Sequence, residues 1–147
     1  ASTFEKDGSV TKETKNEYDL GSSTYPWNNV YSKYFYGVSD RREKTDITPL
    51  SEQNNLDEFY NKLKPVSFSF KSSNDTLHFG LIAQDVDEAS AGLPTDKPLA
   101  IVNKSDPNCL SIDYQELIAV NILKIQQLSK KIDSLEAEIK RLKGEDE

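Results

Sequence analysis

From about Ile112 to Lys143 the chain contains neither proline nor glycine, and Gly144 ends the run. Ile118, Ile125, Ile132 and Ile139 recur every seven residues, and Asn121, Leu128, Leu135 and Leu142 follow each of them by three. A stripe at that spacing, kept over more than three heptads, is the a/d seam of a coiled coil. Thirty or so residues rising 1.5 Å each make a rod about 45 Å long. Lys131 and Glu138 at g meet Glu136 and Lys143 at e of a parallel neighbour with opposite signs. The chain is therefore expected to associate with copies of itself. Isoleucine at a with leucine at d favours two strands, and Asn121 in the seam can set the register. The first half of the run also carries Leu117, Val120, Ile122 and Leu123. These need a globular head to cover them.

That head must come from the residues before the helix. Residues 1–20 are polar, and Asp7-Gly8 is a turn signal between strand-like pieces around Phe4 and Val10. Ala1 reads as a cut point rather than a natural start. Gly21 to Pro26 reads as a loop. Asn29 to Val38 holds Val30, Tyr31, Tyr34, Phe35 and Tyr36, the composition of a strand apolar on both faces, buried or at an interface. Beyond Pro49, Asn54 or Asn55 can cap a helix whose apolar positions are Leu56, Phe59, Tyr60 and Leu63. Pro65 stops it. Val66, Phe68 and Phe70 alternate with serines as a half-buried strand. A turn at Ser72 to Asp75 leads to a second strand, Leu77 to Ile82, in a hairpin. Ala83 to Ser90 is a short acidic helix, and residues 94–107 form an irregular connector around Leu99 to Val102.

Ser39-Asp40-Arg41-Arg42-Glu43-Lys44 places a hydroxyl and an amine five residues apart. Serine becomes a nucleophile when a base takes its proton, and lysine is such a base when burial keeps it neutral. Ser-Lys pairs are a known variant of triad chemistry. The spacing by itself is common. An ideal helix turns the two side chains about 140° apart, and a strand puts them on opposite faces. The two meet within one chain if the backbone bends between them, and otherwise across a subunit boundary. The same residues also contain a D-x-x-E pattern, Asp40 to Glu43, that can cap a helix start with Arg41 and Arg42 in solvent.

The surrounding motifs carry more information than the spacing. Leu20-Gly21-Ser22-Ser23, Trp27-Asn28-Asn29-Val30-Tyr31 and Ser39 through Ile47 resemble the phage tail-fibre and tailspike intramolecular chaperones, whose self-cleaving domain is peptidase S74. His78-Phe79-Gly80-Leu81-Ile82-Ala83-Gln84-Asp85-Val86 and Ser111-Ile112-Asp113-Tyr114, followed by the long helix, continue the resemblance over roughly Leu20 to Leu142. Glu43 departs from it, standing where an apolar residue, usually leucine, is expected. The resemblance implies that Ser39 is the nucleophile, Lys44 the base, and the Val38–Ser39 bond the one cut, with no cofactor. It implies trimers, where the heptads alone say two strands. His78 in the HFG segment is read as a hydrogen-bonded strand residue, with donation to an oxyanion as the functional alternative.

The implied fold is α+β: a small mixed head of short strands and helices, then a long C-terminal helix forming a parallel trimeric coiled coil. Residues 1–38 would close the upstream fibre, 39–111 form the head, and 112–147 the trimerisation helix. The partners are then the chain itself as a homotrimer and the upstream fibre or tailspike chains. Assembly would occur in the host-cell cytoplasm, with the upstream portion passing into the virion tail and the chaperone released. A non-cleaving trimeric fibre tip, structural or receptor-binding, is the alternative. Membrane-tethered transcription factors of the myelin regulatory type carry a similar domain, but the Leu20–Val30 approach favours a phage origin.

Composition narrows the other classes. The chain's 147 residues suffice for one domain core. The net charge is −7 with basic residues interspersed, so no stripe suits nucleic acid. A lone Cys109 forms no internal disulfide, makes no metal set with the single His78, and reads as a small packing residue in a turn. No apolar run approaches a membrane span, and no signal-peptide core opens the chain.

Overall fold

A computed structural model describes residues 3–4, 10–11 and 19–144. The chain divides into two units, Ala1–Tyr36 and Gly37–Glu147. In the first, β1 (Thr3–Phe4) pairs antiparallel with β2 (Val10–Thr11), with Phe4 opposite Val10. The pieces expected around Phe4 and Val10 are thus strands, while Asp7-Gly8 lies outside the described residues. Gly21 adopts φ +84°, a left-handed conformation suited to glycine. A Cβ there would stand 3.1 Å from the Trp27 ring. The Ser22 hydroxyl accepts the Tyr25 amide at 3.0 Å, closing the expected loop.

Residues 29–38 differ from the sequence reading. They form no strand, and their aromatics lie open, with Tyr31 91% and Tyr36 89% exposed. Strand composition needs a neighbouring strand to bond and a surface to cover it, and the described residues of the single chain supply neither.

The second unit holds the core. Helix α1 (Leu56–Lys62) buries Leu56 and Phe59, as its apolar spacing predicts. Asn55 stands at its start in the left-handed region, φ 61°, but does not cap it with its side chain. Its Nδ2 instead donates to the Gly92 carbonyl at 2.9 Å, tying α1 to the end of α2 (Ala83–Ser90). Helix α2 has the bounds expected and buries Ala83, Val86 and Ala89, one face at i, i+3, i+6.

Between the helices, β3 (Val66–Phe70) and β4 (Ser73–Gly80) form the expected hairpin, with Phe68 opposite His78. The turn is Lys71-Ser72, earlier than expected, so Ser73 to Asp75 belong to β4. A bulge lies between Phe68 and Phe70, where the Ser69 hydroxyl donates to the Thr76 carbonyl at 2.7 Å.

The connector is more ordered than expected. Ile101 and Val102 are buried, and β5 (Val102–Asn103) pairs with β6 (Ser111–Ile112). Cys109, expected to pack, is exposed in the loop between them.

Pairing to Val102 takes Ile112 out of the long helix, so α3 runs from Glu116 to Lys143, 28 residues and about 42 Å. The Asp113 carboxylate accepts the Gln115 amide at 3.0 Å just before it. Gly144, φ 69°, ends it by donating to the carbonyls of Lys140 and Arg141. Leu117 and Val120 enter the core with Leu56, Phe59, Val86 and Ile101, and Leu123 packs against them. Ile122, expected under the same cover, is 51% exposed.

The phenol of Tyr114 fastens the hairpin to the start of α3. It accepts the Leu81 amide at 2.9 Å and donates to the Leu81 carbonyl at 3.3 Å. Gly80 makes room for it, since a Cβ there would lie 2.5 Å from the phenol oxygen.

Candidate active site

Ser39 and Lys44 meet within one chain. The Lys44 Nζ donates to the Ser39 Oγ at 2.7 Å. The bend that neither a regular helix nor a strand supplies is a single 3-10 turn, Arg41–Glu43. Its backbone closes through Glu43 N to Asp40 O at 3.0 Å and Lys44 N to Arg41 O at 3.2 Å. The Asp40 carboxylate caps the turn, accepting the Arg42 amide at 2.9 Å. Asp40 thus caps a 3-10 turn, and the same turn spans the contact between Ser39 and Lys44.

Arg42 folds back on its own cap. Its Nε reaches Asp40 Oδ1 at 3.1 Å and its Nη2 reaches Oδ2 at 2.7 Å. The Arg42 side chain, and then its amide, hold the Asp40 carboxyl below the usual carboxylate range, while Asp40 raises Arg42. Further along, Asp46 adopts φ 52° and pairs with Lys97 of the connector at 2.9 Å.

All of residues 37–49 are exposed, Val38 at 81%. The single chain thus aligns hydroxyl and amine without burying either. Lysine serves as a base in its neutral form, which burial favours, and the described residues do not bury this pair.

His78 is placed by aromatic contacts rather than the hydrogen bond expected of it. It stacks on Phe68 with ring centres 5.4 Å apart and meets Phe70 edge-on at 5.0 Å. Among the described residues, no group of three or more His, Cys, Asp or Glu side chains converges to hold a metal, and no helix is long and apolar enough to cross a membrane.

The stripe on α3 forms a continuous open face. Ile118, Ile125, Leu128, Ile132, Leu135, Ile139 and Leu142 are each between 50 and 72% exposed. Asn121 is already engaged, because the Tyr60 hydroxyl donates to its Oδ1 at 3.0 Å. One turn on, Lys124 lies over the Tyr60 ring at 5.3 Å and pairs with Asp57. The sequence reading has Tyr60 only as an apolar position of α1 and does not name Asp57, since their partners lie 61 and 67 residues away.

The described residues thus form a small α+β head, a first turn that brings a serine hydroxyl to a lysine amine, and a long helix with an open heptad stripe. Residues 39–95 match the model of the peptidase S74 family, described as chaperone of endosialidase, in support of the resemblance drawn from the motifs. The match opens at Ser39 itself. No curated protein matches the chain.

Proposed function

We propose that this chain is a self-cleaving intramolecular chaperone. It trimerises through α3, aligns the upstream chains of a phage tail fibre or tailspike, and releases itself by cutting between Val38 and Ser39. The match of residues 39–95 to the chaperone of endosialidase supports the chaperone role. The observation that carries the chemistry is the 2.7 Å contact between Lys44 Nζ and Ser39 Oγ at the first residue of that match.

In this reading neutral Lys44 takes the Ser39 hydroxyl proton, and Oγ attacks the Val38 carbonyl carbon. The tetrahedral intermediate collapses by breaking the Val38–Ser39 C–N bond, and the departing nitrogen takes a proton. The product is an ester joining Val38 to Oγ, with a free amine on Ser39. Water then attacks the ester, leaving a carboxylate on Val38 and restoring the hydroxyl. The open Ser39–Lys44 face and the open stripe on α3 are both covered by association, so the trimer supplies the burial that the base requires. Cutting belongs to the host cytoplasm during assembly, after which the upstream piece continues into the virion tail.

Denaturing electrophoresis with mass spectrometry tests the proposal. The wild-type chain should yield one piece ending at Val38 and one beginning at Ser39, while Ser39→Ala and Lys44→Ala stay whole and still trimerise. A Lys44→Ala chain cut at the normal rate would rule out Lys44 as the base. A wild-type chain that stays whole would instead support a non-cleaving fibre tip.

A further inference from the structure

The turn that brings Lys44 to Ser39 has little to hold it. It is three residues long, contains no buried side chain, and short 3-10 turns have poorer hydrogen-bond geometry than α-helices. Its two backbone bonds, at 3.0 and 3.2 Å, leave the approach of residue 44 to residue 39 dependent on the cap. One carboxylate supplies that cap. Asp40 Oδ1 takes the Arg42 amide, and the Arg42 guanidinium grips both carboxylate oxygens. The Arg42 side chain is 88% exposed, so packing does not account for where it lies.

We propose that Asp40 is a positioning residue for the cut at Val38–Ser39, its carboxylate capping the 3-10 turn, with Arg42 bracing it, so that Lys44 is held against the Ser39 hydroxyl. The inference rests on the self-cleavage proposed above. Asp40 touches neither reacting atom and acts through the turn. Reacting groups lose rate steeply when displaced by as little as an ångström, so loosening the cap should be read in the cleavage rate long before it is read in the fold.

The test follows cleavage of the full chain during cell-free synthesis, pulse-labelled with radioactive leucine because the sequence has no methionine. Assembly is measured in parallel by mass in solution. Asp40→Ala should cut about tenfold more slowly with trimer mass unchanged. Asp40→Asn should stay within about threefold of wild type, because asparagine caps helix starts as well as aspartate does. Arg42→Ala, which removes the brace and keeps the cap oxygen, should be about threefold slow. Asp40→Ala cutting at the wild-type rate overturns the inference, as does Asp40→Asn as slow as Asp40→Ala, which would make charge rather than the cap the operative property. If Asp40→Ala fails to assemble, Arg42→Ala decides, and a wild-type rate there overturns the inference. Wild type that cuts, with Ser39→Ala whole and Asp40→Ala unaffected, removes this inference alone. Wild type that stays whole removes the self-cleavage reading and this inference with it.

Discussion

Replacing Ile132 and Leu135 together with glutamate should abolish both association and cleavage, although neither residue is near Ser39 in sequence. In the single chain Ile132 is 54% and Leu135 52% exposed. Burying a whole side chain of this kind contributes about 1.5–3 kcal/mol, so covering the exposed half contributes roughly 1 kcal/mol per residue. Seven such seam positions on three chains give a gross apolar gain of roughly 20 kcal/mol, before the entropy of association is subtracted. The double variant removes roughly 6 of these and adds six carboxylates to the seam, each with a burial penalty of several kcal/mol. The charges therefore dominate, and the assembly should dissociate. Gln127→Glu with Ser134→Glu adds the same charge at positions outside the stripe and should leave assembly intact. Mass by light scattering, read beside a cleavage time course, decides the matter. A monomeric Ile132→Glu/Leu135→Glu chain that cuts at the wild-type rate would refute the coupling and leave a self-processing domain with an unrelated tail.

Two further outcomes concern the head. Gly80→Ala should lower stability by about 1–3 kcal/mol by overpacking, because the new Cβ would meet the Tyr114 hydroxyl at 2.5 Å and the Phe68 ring at 3.2 Å. Tyr114→Phe alone should lose about 1 kcal/mol, and in thermal melts it should rescue part of the Gly80→Ala loss by deleting the clashing oxygen. The Asp46–Lys97 pair should be sensitive to acid: Lys97, by hydrogen bond and then by charge, holds the Asp46 carboxyl below its ordinary value of 3.8. A lowered carboxyl contributes stability that is present above the ordinary value and lost as pH falls through the folded one. The melting difference between wild type and Lys97→Ala should therefore shrink from pH 5 to pH 2, and a constant difference would show that the two groups do not pair.

Features governed by local periodicity were legible in the sequence, and those that depend on distant partners were not. The stripe on α3, the Leu56 and Phe59 face of α1 and the alternation of β3 follow from spacing alone. The start of α3 does not, because Ile112 is helix-compatible and only its pairing with Val102 takes it into a strand. Asn55 has the composition of a cap, yet Gly92, 37 residues on, takes its side chain. Asn121 fits a seam position by count, but Tyr60 holds its oxygen. At the site, the spacing of Ser39 and Lys44 required a bend, and the residue that makes the bend was visible as the aspartate of a helix-start pattern. Spacing alone favoured the cap as the reading of that segment, and the family resemblance favoured the pair. In the structure one turn carries both the cap and the contact between the pair.

The two faces of α3 suit the proposed joining of assembly and chemistry on one chain. Leu117 and Val120 point into the head, while Ile118 and Ile125, about 100° further around the helix from Leu117 and its heptad successor Lys124, point away from it. Lys124, with its side chain only 16% exposed, pairs with Asp57 and lies over Tyr60, both on α1. The side of the helix that neighbouring copies would grip is therefore a flank next to the surface on which the head is built, with Asn121 at the border held by Tyr60. A helix held on one side by its own head and on the next by its copies cannot rotate in one contact without disturbing the other. In the single chain the stripe and the Ser39–Lys44 segment are both open, and the segment belongs to the same unit as the head. In the proposed trimer, copies that close the stripe would bring three heads together, and with them three segments in which hydroxyl and amine are already in contact. On the proposed reading, what association then has to supply is the exclusion of water from the pair, which the described residues of the single chain leave exposed.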